Sequence, residues 1–207
     1  MSVRGLKDIG RTATAAARGR SAGAAARLAA SAAEEGLLDV AFAFADSPFG
    51  RLLVAVTPRG LVRLAYPNQR PDDVLEELAT SVSPRVLGSA KATDRVRREL
   101  DEYFAGRRRS FHVGVDLSPV RGFTRRVLDA TAGIPFGSVL SYREVAVEAG
   151  NPKASRATGN ALGSNPVPIV VPCHRVVRSG GGLGGYTGGV ERKVVLLRLE
   201  GVLDPPA

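Results

Sequence analysis

A single cysteine, Cys173, and two histidines, His112 and His174, stand among 207 residues. One thiol closes no internal disulfide, which excludes a disulfide-stapled secreted scaffold. Three such side chains fall short of the usual four Cys/His ligands of a structural zinc site, so no metal is expected. No uncharged apolar run approaches the roughly 18 residues a membrane span needs, so no membrane-spanning segment, and no membrane partner of that kind, is expected. Lysine is scarce: only Lys7, Lys91, Lys153 and Lys193 occur among 29 cations, the rest being arginine. Acids number 20, which leaves a net charge of +9. The hydrophobic share of 44% and the charged share of 24% are ordinary for a globular protein and exclude fibrous, collagen-like and wholly disordered chains. The length suits one domain or two small ones.

The positive excess favours a polyanionic partner, nucleic acid or an anionic membrane surface. A soluble basic protein from a GC-rich genome would show the same bulk charge, and composition alone leaves both open. Residues 1–36 are rich in Ala, Ser, Gly and Arg and contain no aromatic residue. They lack the apolar core of a secretory signal. Their composition fits an organellar transit peptide or a solvated low-complexity extension that cannot offset its own ordering entropy, and the extension is the expectation. Two folded segments follow from the change in character near Pro119: an α/β domain over 37–117 and a second domain over 118–207.

The span 39–66 reads as a strand meander. Asp46-Ser47-Pro48-Phe49-Gly50 and Pro58-Arg59-Gly60 punctuate runs of β-formers. Helices are expected over 71–80 and 92–105, the second with Val96, Leu100 and Phe104 on one stripe. Further on, 121–133 is helical by pattern. Ser141 can cap a helix from Tyr142 to Ala149, with Glu144 at the capping-box position. Gly150-Asn151-Pro152 stops it, and a short helix runs from about Lys153 to Leu162. Helix, tight turn, helix is the spacing of a helix-turn-helix, though most such pairs bind nothing. The second helix is nearly bare: Ala154, Ser155, Ala157, Thr158, Gly159 and Ala161 surround one long cation, Arg156. A thin helix can approach a DNA groove, or pack tightly against a neighbour.

The chemistry concentrates in 166–177, P-V-P-I-V-V-P-C-H-R-V-V. The β-branched run Val167–Val171 reads as a buried strand ending at Pro172. Cys173 follows, then His174 and Arg175. The thiolate is the reactive form of cysteine, and an adjacent imidazole and guanidinium are the groups that favour it. In an extended strand Cys173 and His174 would point to opposite faces, so cooperation requires a turn at Pro172 or a bridging water. Free cysteine is also a common inert core residue. A glycine loop over 180–189 can fold over a ligand. It has neither a phosphate-loop nor a dinucleotide-binding ending. A closing helix from Val190 to about Leu199 delivers Glu200, a carboxylate able to orient His174.

The ordered set Ser141-Tyr142, N-P-K-A-S-R-A (151–157), N-P-V-P-I-V-V-P-C-H-R-V-V (165–177), G-G-Y-T-G-G (184–189) and L-E-G (199–201) resembles the O6-alkylguanine-DNA alkyltransferase family. The likeness is close over 118–201 and looser at D-S-P-F-G (46–50) and L-D-E-Y-F-A-G (100–106). It implies an RNase H-like N-terminal domain with a small antiparallel sheet, followed by a mostly helical domain with a winged-helix-like helix-turn-helix. It implies repair of DNA by direct reversal: a single-turnover transfer of the alkyl group from O6-alkylguanine, and from O4-alkylthymine, to Cys173.

Residue roles are carried over in the same way. Cys173 resembles the acceptor, activated by His174 through a water, with Glu200 holding the imidazole and Asn165 bracing the turns. Tyr142 matches the phenol that supplies a proton to the departing guanine. Tyr186, Thr187, Val176, Pro168 and Gly184 match the substrate pocket, the carbonyls of Cys173 and Val176 reading the exocyclic amine. Arg156 matches the arginine that fills the stack after base flipping, and Lys153, Ala154, Ser155, Ala157 and Gly159 match the groove-facing surface. The implied partner is double-stranded DNA with little sequence preference. A cytoplasmic monomer without cofactors is expected. Ten cations against four acids over 118–194 suit phosphate binding. Asn160 and Gly163 depart from the small and the larger residue expected there. Two other readings stay open: a non-transferring binder of alkylated DNA, and a thiol hydrolase using Cys173, His174 and Glu200.

Overall fold

The computed structural model describes residues 39–204. Leu37, Leu38 and the expected extension over 1–36 lie outside that range.

Strands β1 (Val40–Ala45), β2 (Leu52–Thr57) and β3 (Gly60–Ala65) form the antiparallel meander. The first turn is closed by Ser47, whose Oγ accepts from the Phe49 amide at 3.1 Å, and by Gly50 at φ +93°. The β2–β3 turn needs glycine for two reasons: Gly60 sits at φ +134°, and a Cβ there would fall 2.2 Å from the Gly114 carbonyl. A fourth strand, β4 (Val86–Gly88), pairs parallel to β1, so the sheet order is β3-β2-β1-β4.

Alternation along β2 sends Leu52 and Val54 to one face and Leu53 and Ala55 to the other, and all four are buried. The Leu53 face packs under helix α1 (Pro71–Ser81) through Val74 and Leu78. Pro71 at the helix start and Asp72 and Asp73 in its first turn suit the N-terminal geometry and dipole. The other face packs on α2 (Ala90–Phe104), capped by Ser89 and buried through Val96, Leu100 and Tyr103.

The second half contains α3 (Gly122–Ala132), β5 (Leu140–Ser141), α4 (Tyr142–Glu148), α5 (Ser155–Gly163), a 3-10 turn (Cys173–Arg175), β6 (Val176–Val177) and α6 (Val190–Leu199). β5 and β6 pair in parallel. The capping box forms as read: Ser141 Oγ accepts from the Glu144 amide at 3.2 Å, and Glu144 accepts from the Ser141 amide at 2.6 Å. One hydrophobic core joins the halves, with Leu64, Tyr66, Leu100 and Tyr103 packed into the same cluster as Leu128, Val145, Ile169 and Leu196.

The expected strand over Val167–Val171 is a correction. These residues fold into a tight turn closed by Val171 N–H to the Val167 carbonyl at 2.9 Å. Three prolines in seven residues remove the donors a ladder requires. Ile169 takes φ +74°, an unusual state for a β-branched residue, and is held there with its side chain fully buried.

Candidate active site

The turn after Pro172 decides the site. It curls Cys173–Arg175 into a single 3-10 turn, so Cys173 faces a cavity while His174 and Arg175 reach behind it. The cavity, about 560 Å³, lies between α4, α5 and the glycine loop. Tyr142, Ser155, Arg156, Gly159, Cys173, Gly184, Tyr186 and Thr187 all line it, so eight of the residues singled out by sequence converge on one space.

Asn165 holds the thiol. Its Nδ2 donates to Cys173 Sγ at 3.1 Å and to the Val171 carbonyl at 2.8 Å, and its Oδ1 accepts from the Val167 amide at 3.0 Å. One side chain thus satisfies both ends of the proline-rich turn and contacts the Cys173 sulfur. Burial pushes the Cys173 thiol up to about 11, against the opposing help of Asn165 and the Lys193 charge. The resting group is therefore a neutral thiol at pH 7.

His174 is fully buried. Burial lowers its pKa, so the ring is neutral at pH 7. Glu200 is an ionised carboxylate: burial would raise its pKa, but its bonds to His174 and Arg175 prevail and hold it near 2. His174 Nε2 lies 2.9 Å from Glu200 Oε1 and must carry the proton, because a carboxylate only accepts. The basic lone pair is then on Nδ1, which has no hydrogen-bond partner among the described residues.

Glu200 accepts from two further side chains. Tyr103 Oη donates at 2.7 Å, and Arg175 donates through Nε at 2.8 Å and Nη2 at 2.9 Å. Arg175 also donates to the Ile134 carbonyl at 2.5 Å. It is thus the counter-charge of Glu200 and lies behind the site. The sequence places this guanidinium next to the thiol, and the structure turns it onto the carboxylate instead.

Around the opening, Tyr142 Oη donates to the Gly185 carbonyl at 3.3 Å, and burial keeps its phenol protonated. Gly184 is at φ +71°, and a Cβ there would fall 2.6 Å from Tyr142 Oη. Thr187 Oγ1 donates to the Gly163 carbonyl at 2.9 Å, which ties the glycine loop to the end of α5. Arg156 is exposed at the rim and makes no hydrogen bond or ion pair within the described residues. Lys153 and Ala157 are also exposed, and Ala154 and Ser155 half-exposed, at the start of α5. Asn160 and Gly163 are exposed on α5 as well, so neither intrudes on the core.

Eight predicted residues do not line the cavity. Lys153, Ala154 and Ala157 lie at the start of α5, and Val176 is buried. His174, Glu200 and Asn165 lie behind the cavity wall, and Pro168 lines a smaller cleft with Asn165 and Thr187. The carbonyls of Cys173 and Val176 each already accept one bond, from the Val176 amide and from Lys193 Nζ at 2.5 Å. Each keeps a second lone pair.

Lys193 was missed by sequence reasoning. It is fully buried, its Nζ donating to the carbonyls of Val176, Leu183 and Gly185, so one ammonium ties β6 to the glycine loop. Burial lowers its pKa to about 8. Nothing in a run such as E-R-K-V-V marks which cation turns inward. Tyr103 and Tyr66 were missed too, because they meet the site across 97 and 120 residues of sequence.

Two family models match the chain: the ribonuclease-like domain of 6-O-methylguanine DNA methyltransferase over residues 40–117, and its DNA binding domain over 122–202. The methylated-DNA–protein-cysteine methyltransferase of Mycobacterium leprae is 40% identical over 155 residues, covering 75% of this chain and 88% of that protein. The crystal structure of the Mycobacterium tuberculosis O6-methylguanine methyltransferase is similar at 36% identity and a TM-score of 0.67, over 81% of this chain and 96% of that one. The same organism's OGT in complex with DNA is similar at 36% identity and a TM-score of 0.65, over 77% and 92%.

Proposed function

This chain belongs to the 6-O-methylguanine DNA methyltransferase family, and from that membership we propose that Cys173 is the atom on which it repairs DNA. Its relatives are methylated-DNA–protein-cysteine methyltransferases, and the reaction assigned to this chain is theirs, alkyl transfer. The observation that carries the assignment is Cys173 Sγ at the cavity wall, held by Asn165, with a neutral His174 oriented by an ionised Glu200.

The step balances without any added redox partner. His174 Nδ1 takes the thiol proton through a water. The thiolate attacks the alkyl carbon in line, a C–S bond forms, and the bond from that carbon to O6 breaks. The electron pair leaves with the guanine, which takes a proton from Tyr142, and solvent water returns a proton to the phenolate. The resulting imidazolium faces Glu200, whose charge stabilises it in the manner of a triad's third member. Burial supports this division of labour. A thiol near 11 beside a neutral imidazole stays quiet until an alkyl carbon is presented, and the transfer leaves a thioether with no exit. Each molecule acts once.

A base inside a duplex cannot reach Cys173, so the nucleotide is flipped at a cost of a few kcal/mol. The thin α5 enters the minor groove, where sequence readout is poor, and Arg156 fills the vacated stack. Its lack of an internal partner supports that role. Tyr186, Thr187 and Gly184 cover the base, and the second lone pairs of the Cys173 and Val176 carbonyls face its amine. The substrates are O6-alkylguanine and O4-alkylthymine in double-stranded DNA, met by a monomer. Cys173→Ala tests the assignment: methyl loss from duplex DNA falls to background while binding persists. Residual transfer would remove Cys173 from its role. A non-transferring binder of damage would be indifferent to the change.

A further inference from the structure

The N-terminal half meets the glycine loop at Tyr66. Tyr66, just beyond β3, and Tyr186 share a hydrogen bond of 2.7 Å between their hydroxyls, with ring centroids 6.1 Å apart at 69°. Tyr66 is 3% exposed. Burial raises the pKa of both phenols, so the bond joins two neutral groups across the working pH range.

Two further contacts fasten the same spot. The guanidinium of Arg192, on α6, lies 4.9 Å over the Tyr66 ring. Its Nη1 donates to Asn68 Oδ1 at 3.2 Å and to the Gly188 carbonyl. Gly188 is wedged between the two tyrosines: a Cβ there would fall 2.7 Å from the Tyr66 ring and 2.8 Å from the Tyr186 ring. The loop segment 186–188 is therefore seated on the Tyr66–Asn68 segment of the other half. Tyr66 itself is backed by Phe49, 6.0 Å away edge to face, and Phe49 by Phe104 at 5.9 Å.

Tyr186 lines the cavity beside Cys173, whereas Tyr66 does not line it. We infer that Tyr66 is a positioning residue for alkyl transfer: through its hydroxyl it fixes Tyr186 over the reacting base, so that the N-terminal half sets the geometry of a site built from the C-terminal half. This rests on the alkyl-transfer reading of Cys173 and adds to it a residue outside the DNA-binding half. The physical ground is that a near-attack geometry is sensitive to displacements of about 1 Å. A loop rich in glycine does not hold such a position by itself.

The test compares wild type, Tyr66→Phe, Tyr186→Phe and the double variant. Single-turnover transfer is measured on duplex DNA carrying O6-methylguanine, with DNA affinity and thermal unfolding in parallel. Phenylalanine keeps the ring and removes only the bond. The expected result for Tyr66→Phe is about a fivefold fall in the rate at saturating DNA, the size of one net neutral hydrogen bond, with DNA affinity unchanged. Free O6-benzylguanine should react more slowly by a similar factor, since the loop covers the base in either substrate. The double variant should lose no more than the larger single loss, because both changes delete one bond.

A Tyr66→Phe rate equal to wild type would overturn the inference. So would losses that multiply in the double variant, or a fall in rate that tracks a fall in folded fraction. Absence of transfer to Cys173 in the wild type would instead sink the alkyl-transfer reading, which separates the two failures.

Discussion

Replacing Glu200 by glutamine removes a charge and keeps a shape. Oε1 accepts from Tyr103, His174 and Arg175 Nη2, and Oε2 from Arg175 Nε alone. A glutamine amide faces the fewest donors with its nitrogen in the Oε2 place, where it confronts Arg175 Nε. One bond is lost outright, and Arg175 is left buried without a counter-charge. Breaking such a pair costs about 3 kcal/mol of stability. His174 Nε2 keeps an acceptor, so the ring stays oriented, but the imidazolium formed during transfer loses its ionic partner. A charge-assisted bond is about twice as strong as a neutral one, which puts the loss near 1.5 kcal/mol, or roughly tenfold in rate. The assay is single-turnover methyl transfer from duplex DNA at pH 7, with denaturant unfolding of the same samples to correct for folded fraction. A corrected rate within twofold of wild type would refute the role given to Glu200. Tyr103→Phe is the control. It removes one donor to the carboxylate and no charge, and should cost about 2 kcal/mol of stability with little change in rate.

Arg156→Ala should slow reaction on duplex DNA far more than on free O6-benzylguanine, because the free base needs no flipping; equal losses in the two rate measurements would refute its place in the vacated stack. Acid should destabilise the fold in two stages. His174 has a lowered folded pKa, so below about 6.5 the unfolded chain takes up a proton that the folded ring resists, and stability falls. Glu200 has a folded pKa near 2 against 4.5, so its contribution is complete above 4.5 and is lost as the pH falls towards 2. Chemical denaturation at stepped pH should show a decline beginning near 6.5 and steepening below 4.5, and stability that is flat from pH 7 to 3 would contradict the buried His174–Glu200 pair.

Local rules were legible where one segment sufficed. The Ser141–Glu144 box, the Val96–Leu100 stripe and the turns at Gly50 and Gly60 are set by neighbours a few residues apart, and they formed as read. The Pro-Cys-His-Arg run and its spaced partners pointed to one site, and eight of those residues do line one cavity. The Val167–Val171 run misled, since β-branched content suggests a strand while Pro166, Pro168 and Pro172 deny it a ladder. β4 was unreadable because three residues gain strand character only from pairing with β1. Arg175, Lys193, Tyr103 and Tyr66 were hidden for a related reason. Their roles are long-range hydrogen bonds within buried space, and a cation or phenol carries no local mark of the carboxylate, carbonyl or partner ring it will meet.

The most direct test is the intact mass of the protein, with peptide mapping, after incubation with duplex DNA carrying O6-methylguanine. Stoichiometric transfer to Cys173 gives a gain of one methyl, about 14 Da, located on that residue and stopping at one equivalent per chain. Turnover beyond one equivalent, or methyl on any other residue, would contradict it.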